Sequence, residues 1–187
     1  MERIIKWTAG SSYSGPPLSQ TALYDLGCAL EINPVLVATN AKKNFSLVPG
    51  QTDGFTGEEH TIPFASQRHQ PATFPSTTEL KVITKEAPWC TVVKNKSGVT
   101  VADVLVKIYA DYTTPVEHWE LMTLPKHVQD TIKLCSAWRT GQRDSELKRY
   151  DWLQHRVMFN GVRKDADFAK RRLGYDAPNI FVMDLCM

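Results

Sequence analysis

The sequence lacks the features of a membrane-spanning or secreted protein. It contains no stretch of about 20 apolar residues, the length that a helix needs to cross a bilayer. Its first residues lack the apolar run and the small-residue cleavage site of a secretory signal peptide. The four cysteines are widely spaced, and none forms a CxxC pair or has a histidine at zinc-finger spacing. We therefore expect a cytoplasmic protein with free thiols and no membrane partner.

Motifs for catalysis, metal binding and nucleic-acid binding are also absent. No GxSxG elbow, SxxK motif or catalytic-cysteine signature occurs. Glu58-Glu59-His60, with His69 nine residues later, has neither HExxH nor HxH spacing, and we interpret these residues as a solvated loop. No cofactor and no metal are predicted. The motifs alone leave open whether the protein is an enzyme.

The sequence divides into two parts of different composition. Residues 1–78 hold seven of the 11 prolines, six of the 10 glycines and only 11 charged residues, whereas residues 79–187 hold the other 31 charged residues. The 18 aromatic residues are enough to fill a core, and 22 basic residues nearly balance 20 acidic ones. This pattern predicts a loop-rich N-terminal part, with a mobile arm over residues 1–20, and a single domain over residues 21–187.

Strands are predicted on both sides of a helical region. The β-branched runs at 80–84 and 90–94 have strand length and indicate an adjacent pair or hairpin. Trp89 lies between them and is predicted to anchor the core. Two further apolar segments, 34–38 and 179–185, are also predicted to be extended.

Four helices are predicted between these strands. Thr100 and Asp103 indicate the start of the first helix, because a threonine caps free N–H groups and an acidic residue favours the first turn. The second helix is predicted to begin at Thr114-Pro115.

The third and fourth helices follow from apolar spacing. The third is predicted over 125–138, before Gly141, and the fourth from near Asp144 to Gly161. The predicted apolar face of the third helix consists of Val128, Ile132, Cys135 and Trp138. The order of elements predicts an α+β domain, in which a small antiparallel or mixed sheet packs against a block of about four helices.

Several short segments carry a resemblance to a known family. They are Asn33-Pro34-Val35-Leu36, Pro71-Ala72-Thr73-Phe74-Pro75, Pro88-Trp89 and Gly98-Val99-Thr100-Val101-Ala102-Asp103-Val104-Leu105. In this order, and with Gly161-Val162-Arg163-Lys164-Asp165 later, they resemble a large family of small proteins from mushroom-forming basidiomycete fungi, catalogued as a domain of unknown function. The resemblance covers about residues 30–165. It implies a fungal source and carries over no catalytic residue.

The leading functional hypothesis is a non-catalytic binding or scaffold domain that recognises a protein or a small anionic ligand. The region 114–157 is dense in tryptophan and arginine, which are enriched at binding hot spots. In the predicted site, aromatic rings provide contact surface and arginines bind anionic groups. The candidate ligand-binding residues are Trp119, Arg139, Trp152, His155 and Arg163.

Two other functions fit the same residues. An enzyme with an unfamiliar acid–base site, such as a phosphodiesterase-like hydrolase, would use His118 and His155 together with an arginine. A nucleic-acid binder would use residues 138–172, which hold ten basic and five acidic residues with aromatics between them. An amphipathic helix with a solvated basic face and core aromatics explains the latter pattern better. The sequence does not specify an oligomeric state.

Overall fold

The computed structural model describes residues 15–37, 45–49, 67–142 and 145–187. Within these residues the chain forms six helices and six strands. In chain order they are α1 (Gln20–Asp25), β1 (Glu31–Ile32), β2 (Thr73–Phe74), β3 (Glu79–Thr84), β4 (Cys90–Lys94), α2 (Val101–Tyr112), α3 (His118–Met122), α4 (Lys126–Thr140), α5 (Arg149–Trp152), β5 (Met158–Arg163), α6 (Ala166–Leu173) and β6 (Ile180–Cys186).

The main sheet has four strands in the order β4-β3-β6-β5. Strands β3 and β4 form the predicted antiparallel pair, β3 and β6 are parallel, and β5 and β6 are antiparallel. Strands β1 and β2 form a separate two-stranded antiparallel sheet. The predicted α+β class and mixed sheet are thus confirmed, with six helices in the described residues where about four were expected.

The two faces of the main sheet are covered by different helices. Because side chains alternate along a strand, Leu80 and Val82 of β3 pack into the larger core with α2, α4 and α5. Ile83 points to the other face, where it packs with Val182 of β6 and Ala169 of α6. The sheet is therefore the middle layer of the domain, with helices α2, α4 and α5 on one face and helix α6 on the other.

Helix α2 begins as the sequence predicts. The Thr100 hydroxyl accepts the Asp103 N–H at 3.1 Å, and an Asp103 carboxylate oxygen accepts the Thr100 N–H at 2.9 Å, which completes a capping box. Asn95 donates a further hydrogen bond to Asp103 at 2.8 Å. Burial by itself would raise the pKa of Asp103, but these hydrogen bonds outweigh burial and lower the pKa.

Helices α3 and α4 differ in how well their starts and ends follow the prediction. Helix α4 confirms the third predicted helix and ends at Gly141, which adopts a left-handed conformation with φ of 72°. Helix α3 begins three residues later than Thr114-Pro115 predicts, because Glu117 and Glu120 form its capping box. The Thr114 hydroxyl instead donates to the carbonyl oxygen of Asp111 at 2.6 Å.

The fourth predicted helix is wrong in extent. Of its described residues, 145–161, only Arg149–Trp152 is helical, and Gln154 has a positive φ of 57°, which is incompatible with a continuing α-helix. The predicted helix end at Gly161 lies inside strand β5, next to a bulge. Pairing of β5 with the distant strand β6 overrides the local helical pattern.

Segment 34–38 is not a regular strand over its described part. The Asn33 side-chain oxygen accepts the Val35 N–H at 3.0 Å, which forms a turn over residues 34–36. Leu36 is nevertheless fully buried, and Val37 forms an isolated bridge with Val162. The predicted extended conformation is therefore mainly a turn, and Leu36 is the buried residue among the described residues 34–37.

Backbone hydrogen bonds of Leu18 connect the first described residues to the rest of the domain. The Leu18 N–H donates to the carbonyl oxygen of Ser76 at 2.8 Å, and its own carbonyl oxygen accepts the Thr78 N–H at 3.0 Å. Residues 1–14 of the predicted arm lie outside the described residues, so the arm stays a prediction. None of the helices in the described ranges has the length and apolar content required to cross a membrane.

We expect Gly98→Ala to lower the free energy of unfolding by about 1–3 kcal/mol. Gly98 has a positive φ of 101°, and an added Cβ would lie 2.5 Å from the Ser76 side-chain oxygen. Denaturant unfolding measures the effect. Gly27→Ala is the matched control, because Gly27 also has a positive φ but an added Cβ there meets nothing within 4 Å. Equal losses in the two variants would show that the close contact at Gly98 contributes nothing.

Candidate functional site

A groove lies between helix α4 and the turn that follows helix α5. It has a volume of about 400 Å³ and is lined by Thr131, Leu134, Cys135, Trp138, Arg139 and His155. Two of the five candidate binding residues, Arg139 and His155, therefore lie together. We call this feature the α4 groove.

The apolar wall of the α4 groove consists of side chains that the core leaves exposed. Ile132 and Ser136 of α4 are buried, whereas Leu134 and Trp138 lie on a neighbouring stripe of the same helix, four residues apart. Trp138 is 85% exposed and Leu134 is 59% exposed. Trp138 is therefore not on the buried face that the apolar spacing predicts, and that prediction is wrong. Its helical angle places it nearer to Leu134 and Thr131 than to Ile132.

A buried ion pair fixes the polar end of the groove. The Arg139 guanidinium pairs with the Asp151 carboxylate, and its Nη2 donates to the carbonyl oxygen of Gln154 at 2.9 Å. The ring centroid of Tyr150 lies 5.3 Å from the guanidinium carbon. These contacts hold Arg139 rigidly beside the backbone that leads into His155.

Asp151 lies behind Arg139, away from solvent. Its side chain is 1% exposed, against 16% for that of Arg139, and it accepts the Lys148 N–H at 2.8 Å. Burial raises the pKa of Asp151, while the Lys148 N–H and the Arg139 charge act in the opposite direction. A molecule in the groove therefore meets the guanidinium and not the carboxylate.

The remaining candidate residues lie elsewhere. Trp119 is 68% exposed on helix α3 and is not among the residues that line the α4 groove. Trp152 lies in the core, where its ring centroid is 5.0 Å from that of Trp89. Trp152 is therefore a packing residue and not the contact surface that the sequence suggested.

Arg163 lies on the opposite face of the sheet. Its Nε donates to Asp184 at 2.9 Å and its Nη1 donates to Asp165 at 2.9 Å. The hydrogen bond with Asp165 is the main reason that the pKa of Arg163 is raised. Because Asp165 also caps helix α6 through the Phe168 N–H, Arg163 stabilises this side of the fold and does not share a site with Arg139.

Trp89 is the centre of a structural cluster, in agreement with its predicted role. Its indole N–H donates to Glu120 at 2.6 Å, and its ring contacts that of Tyr112 in α2 edge-on, with centroids 6.1 Å apart. The Arg149 guanidinium lies 4.6 Å above the indole ring, and its Nη2 is 3.6 Å from Glu120. Strand β4, helix α2 and helix α5 are thereby joined around one side chain.

The basic segment 138–172 does not form one surface. Its part on α4 and α5 lies on one side of the sheet, and its part on α6 lies on the other. Several of its basic groups are paired, as in Arg139–Asp151, Lys148–Glu146, Arg149–Glu120, Arg156–Glu86 and Arg163–Asp184. Among the described residues, the local excess of positive charge is therefore divided between the two faces of the sheet.

Within the described residues, the cysteines and the possible metal ligands are not grouped into a metal site or a disulfide. All four cysteines are unpaired, Cys135 is partly buried in the groove wall, and Cys90 is exposed. Across the described part of the chain, no three histidine, cysteine or carboxylate side chains are grouped so as to hold a metal ion. Glu58-Glu59-His60 lies outside the described residues.

The fold and the groove define an α+β domain with an exposed apolar wall and a rigidly held guanidinium. The chain belongs to the family of unknown function DUF6699, whose model matches residues 44–171. The whole α4 groove lies within this matched range. No curated protein and no solved structure matches the chain.

Proposed function

We propose that this chain is a non-catalytic binding domain that recognises a segment of another protein in the α4 groove. The observation that carries this proposal is the exposure of Trp138 and Leu134 along one side of a groove. Adjacent large apolar side chains at the surface are typical of interaction sites. Covering them would gain roughly 25 cal/mol for each Å² of apolar surface removed from water.

The alternative of a small anionic ligand is less well supported. Arg139 is the anchor that such a ligand would need, but a small anion bound there would leave the exposed side chains of Trp138 and Leu134 uncovered. The groove is open, and its most exposed side chain is the indole of Trp138. Tryptophan at a binding surface is characteristic of protein hot spots.

The acid–base alternative is less well supported, because one of its two histidines is not among the groove-lining residues. A phosphodiesterase-like mechanism would use two histidines and an arginine, and the groove lining contains His155 and Arg139. The other proposed histidine, His118, lies on α3 and is not part of this lining. This arrangement favours binding over hydrolysis. The nucleic-acid alternative is weakened by the division of segment 138–172 between two faces.

We also infer a source among mushroom-forming fungi and a cytoplasmic location. The fungal source is supported by the family resemblance, which the short segments at 33–36, 71–75, 88–89 and 98–105 carry. The four unpaired cysteines are consistent with a reducing compartment and support the cytoplasmic location.

The α4 groove can be tested with a displayed library of random peptides, using the folded protein as bait. We expect Trp138→Ala to weaken the binding of selected peptides at least about tenfold, because tryptophan hot spots contribute 2 kcal/mol or more. Fluorescence anisotropy with labelled synthetic peptides measures the affinities. Trp119→Ala is the matched control, since Trp119 is also exposed but lies outside the groove lining, and it should bind like the wild type.

Two results would contradict this function. One is a selection that yields no peptide, or only peptides that Trp138→Ala binds as tightly as the wild type does. The other is a concentration-dependent dimer, seen by analytical ultracentrifugation, that Trp138→Ala dissolves. The second result would make another copy of this chain the occupant of the groove.

A further inference from the structure

The polar groups of the α4 groove are mainly hydrogen-bond donors. Arginine has five N–H donors, and Arg139 directs one nitrogen to Asp151 and one to the Gln154 carbonyl oxygen, which leaves further N–H groups. The imidazole of His155 supplies another N–H. The Thr131 hydroxyl already donates to the carbonyl oxygen of His127 at 2.9 Å. Among the described residues, no carboxylate lines the groove.

The residues that carry these donors line the same groove. Arg139 is bound to the carbonyl oxygen of Gln154, the residue immediately before His155. Asp151, which balances the charge of Arg139, is shielded behind the guanidinium. The groove is therefore complementary to a negatively charged acceptor, and charge-assisted hydrogen bonds to a carboxylate are stronger than those to a neutral acceptor.

The apolar wall lies next to these donors. Leu134, Cys135 and Trp138 line the same groove as Arg139 and His155. On a helix, residues three or four positions apart are neighbours, so Arg139 is next to Cys135 and Trp138 is next to Leu134. A partner must present an apolar group to the wall and an acceptor to the donors within a short distance.

We infer that the partner segment is an acidic peptide, in which an apolar side chain packs against Trp138 and Leu134 and a nearby carboxylate binds Arg139 and His155. This inference rests on the proposed function. A peptide fits better than a nucleic acid, because several basic groups of the surrounding segment are already paired with carboxylates. A phosphate backbone would need a row of open basic groups.

The experiment compares matched synthetic peptides based on those that the displayed library yields. In each peptide, Asp and Glu are replaced by Asn and Gln, and affinity is measured by fluorescence anisotropy with the wild type, His155→Ala and Trp138→Ala. We expect the wild type to bind the acidic peptides at least about tenfold more tightly than their amide counterparts. His155→Ala should reduce this ratio. His118→Ala, which alters an exposed histidine on α3, should leave it unchanged.

The outcomes separate this inference from the proposed function. If acidic and amide peptides bind the wild type equally and Trp138→Ala weakens both, the acidic partner is overturned while the groove remains a peptide site. If Trp138→Ala binds both peptides like the wild type, both proposals fail. Displacement of the acidic peptide by single-stranded RNA of mixed sequence would also overturn the inference, in favour of a nucleic acid.

Discussion

Replacing Arg139 with alanine is expected to lower the free energy of unfolding by about 3–5 kcal/mol, because it leaves the buried carboxylate of Asp151 without its cation. Asp151 is 1% exposed, and Arg139 also donates to the Gln154 carbonyl oxygen. Urea denaturation at neutral pH measures the loss. Arg156→Ala is the matched control, because Arg156 pairs with Glu86 at the surface. The loss there should be within about 1 kcal/mol.

The loss in Arg139→Ala should also depend on pH. Burial already raises the pKa of Asp151, and removing the guanidinium removes one of the groups that act in the opposite direction. An aspartate whose pKa is raised on folding destabilises the protein as pH rises from its unfolded pKa, about 3.9, through its folded pKa. The difference from the wild type should therefore shrink as pH is lowered from neutral. Arg139→Ala/Asp151→Asn should recover part of the stability.

Equal unfolding midpoints for Arg139→Ala and Arg156→Ala would contradict this account of the ion pair. The expected result also explains why Arg139→Ala is a poor test of binding. In this variant a fall in peptide affinity would not separate a lost contact from lost stability. Trp138 and His155 are the better positions, because both are exposed.

Trp89→Ala is expected to lower the free energy of unfolding by about 3–5 kcal/mol. The substitution removes the ring that packs against Trp152 and Tyr112, and it also removes the N–H that Glu120 accepts. Chemical denaturation followed by circular dichroism measures the change. A variant that unfolds at the wild-type midpoint would show that this cluster does not hold the strand pair to the helices.

Two controls separate packing from hydrogen bonding at Trp89. Trp89→Phe keeps an aromatic ring but leaves Glu120 without the indole donor, and it should cost about 1–3 kcal/mol. Trp119→Ala removes an equally large ring that is 68% exposed. It should change stability within about 0.5 kcal/mol, as surface substitutions usually do.

The Arg139–Asp151 ion pair lies at the proposed site, whereas the cluster around Trp89 lies outside it. Trp89 stabilises the domain through its contacts with Glu120 and Arg149, and it is not among the residues that line the α4 groove. Arg139 is both a structural residue and part of the groove lining. The proposed carboxylate site therefore uses a guanidinium that folding has already oriented, which limits the ordering needed on binding.

Local patterns in the sequence determined much of the secondary structure. The capping residues Thr100 and Asp103 mark the start of α2, Gly141 follows the end of α4, and two β-branched runs form the β3–β4 pair. These features depend on neighbours within a few residues, so a single sequence is sufficient to predict them. The match over residues 44–171 confirms the resemblance to a family of unknown function, while the fungal source stays a prediction.

Only the tertiary structure decided which residues line the α4 groove. Strand β5 exists because residues 158–163 pair with residues 182–186, a contact that local helical spacing does not indicate. Trp138 and Trp152 are both tryptophans in the helical region, yet one is exposed beside the groove and the other is buried against Trp89. Arg139 and Arg163 are separated by the sheet and have different ion-pair partners. Exposure and pairing depend on contacts between residues distant in sequence, and these arise only when the sheet and its helical layers have assembled.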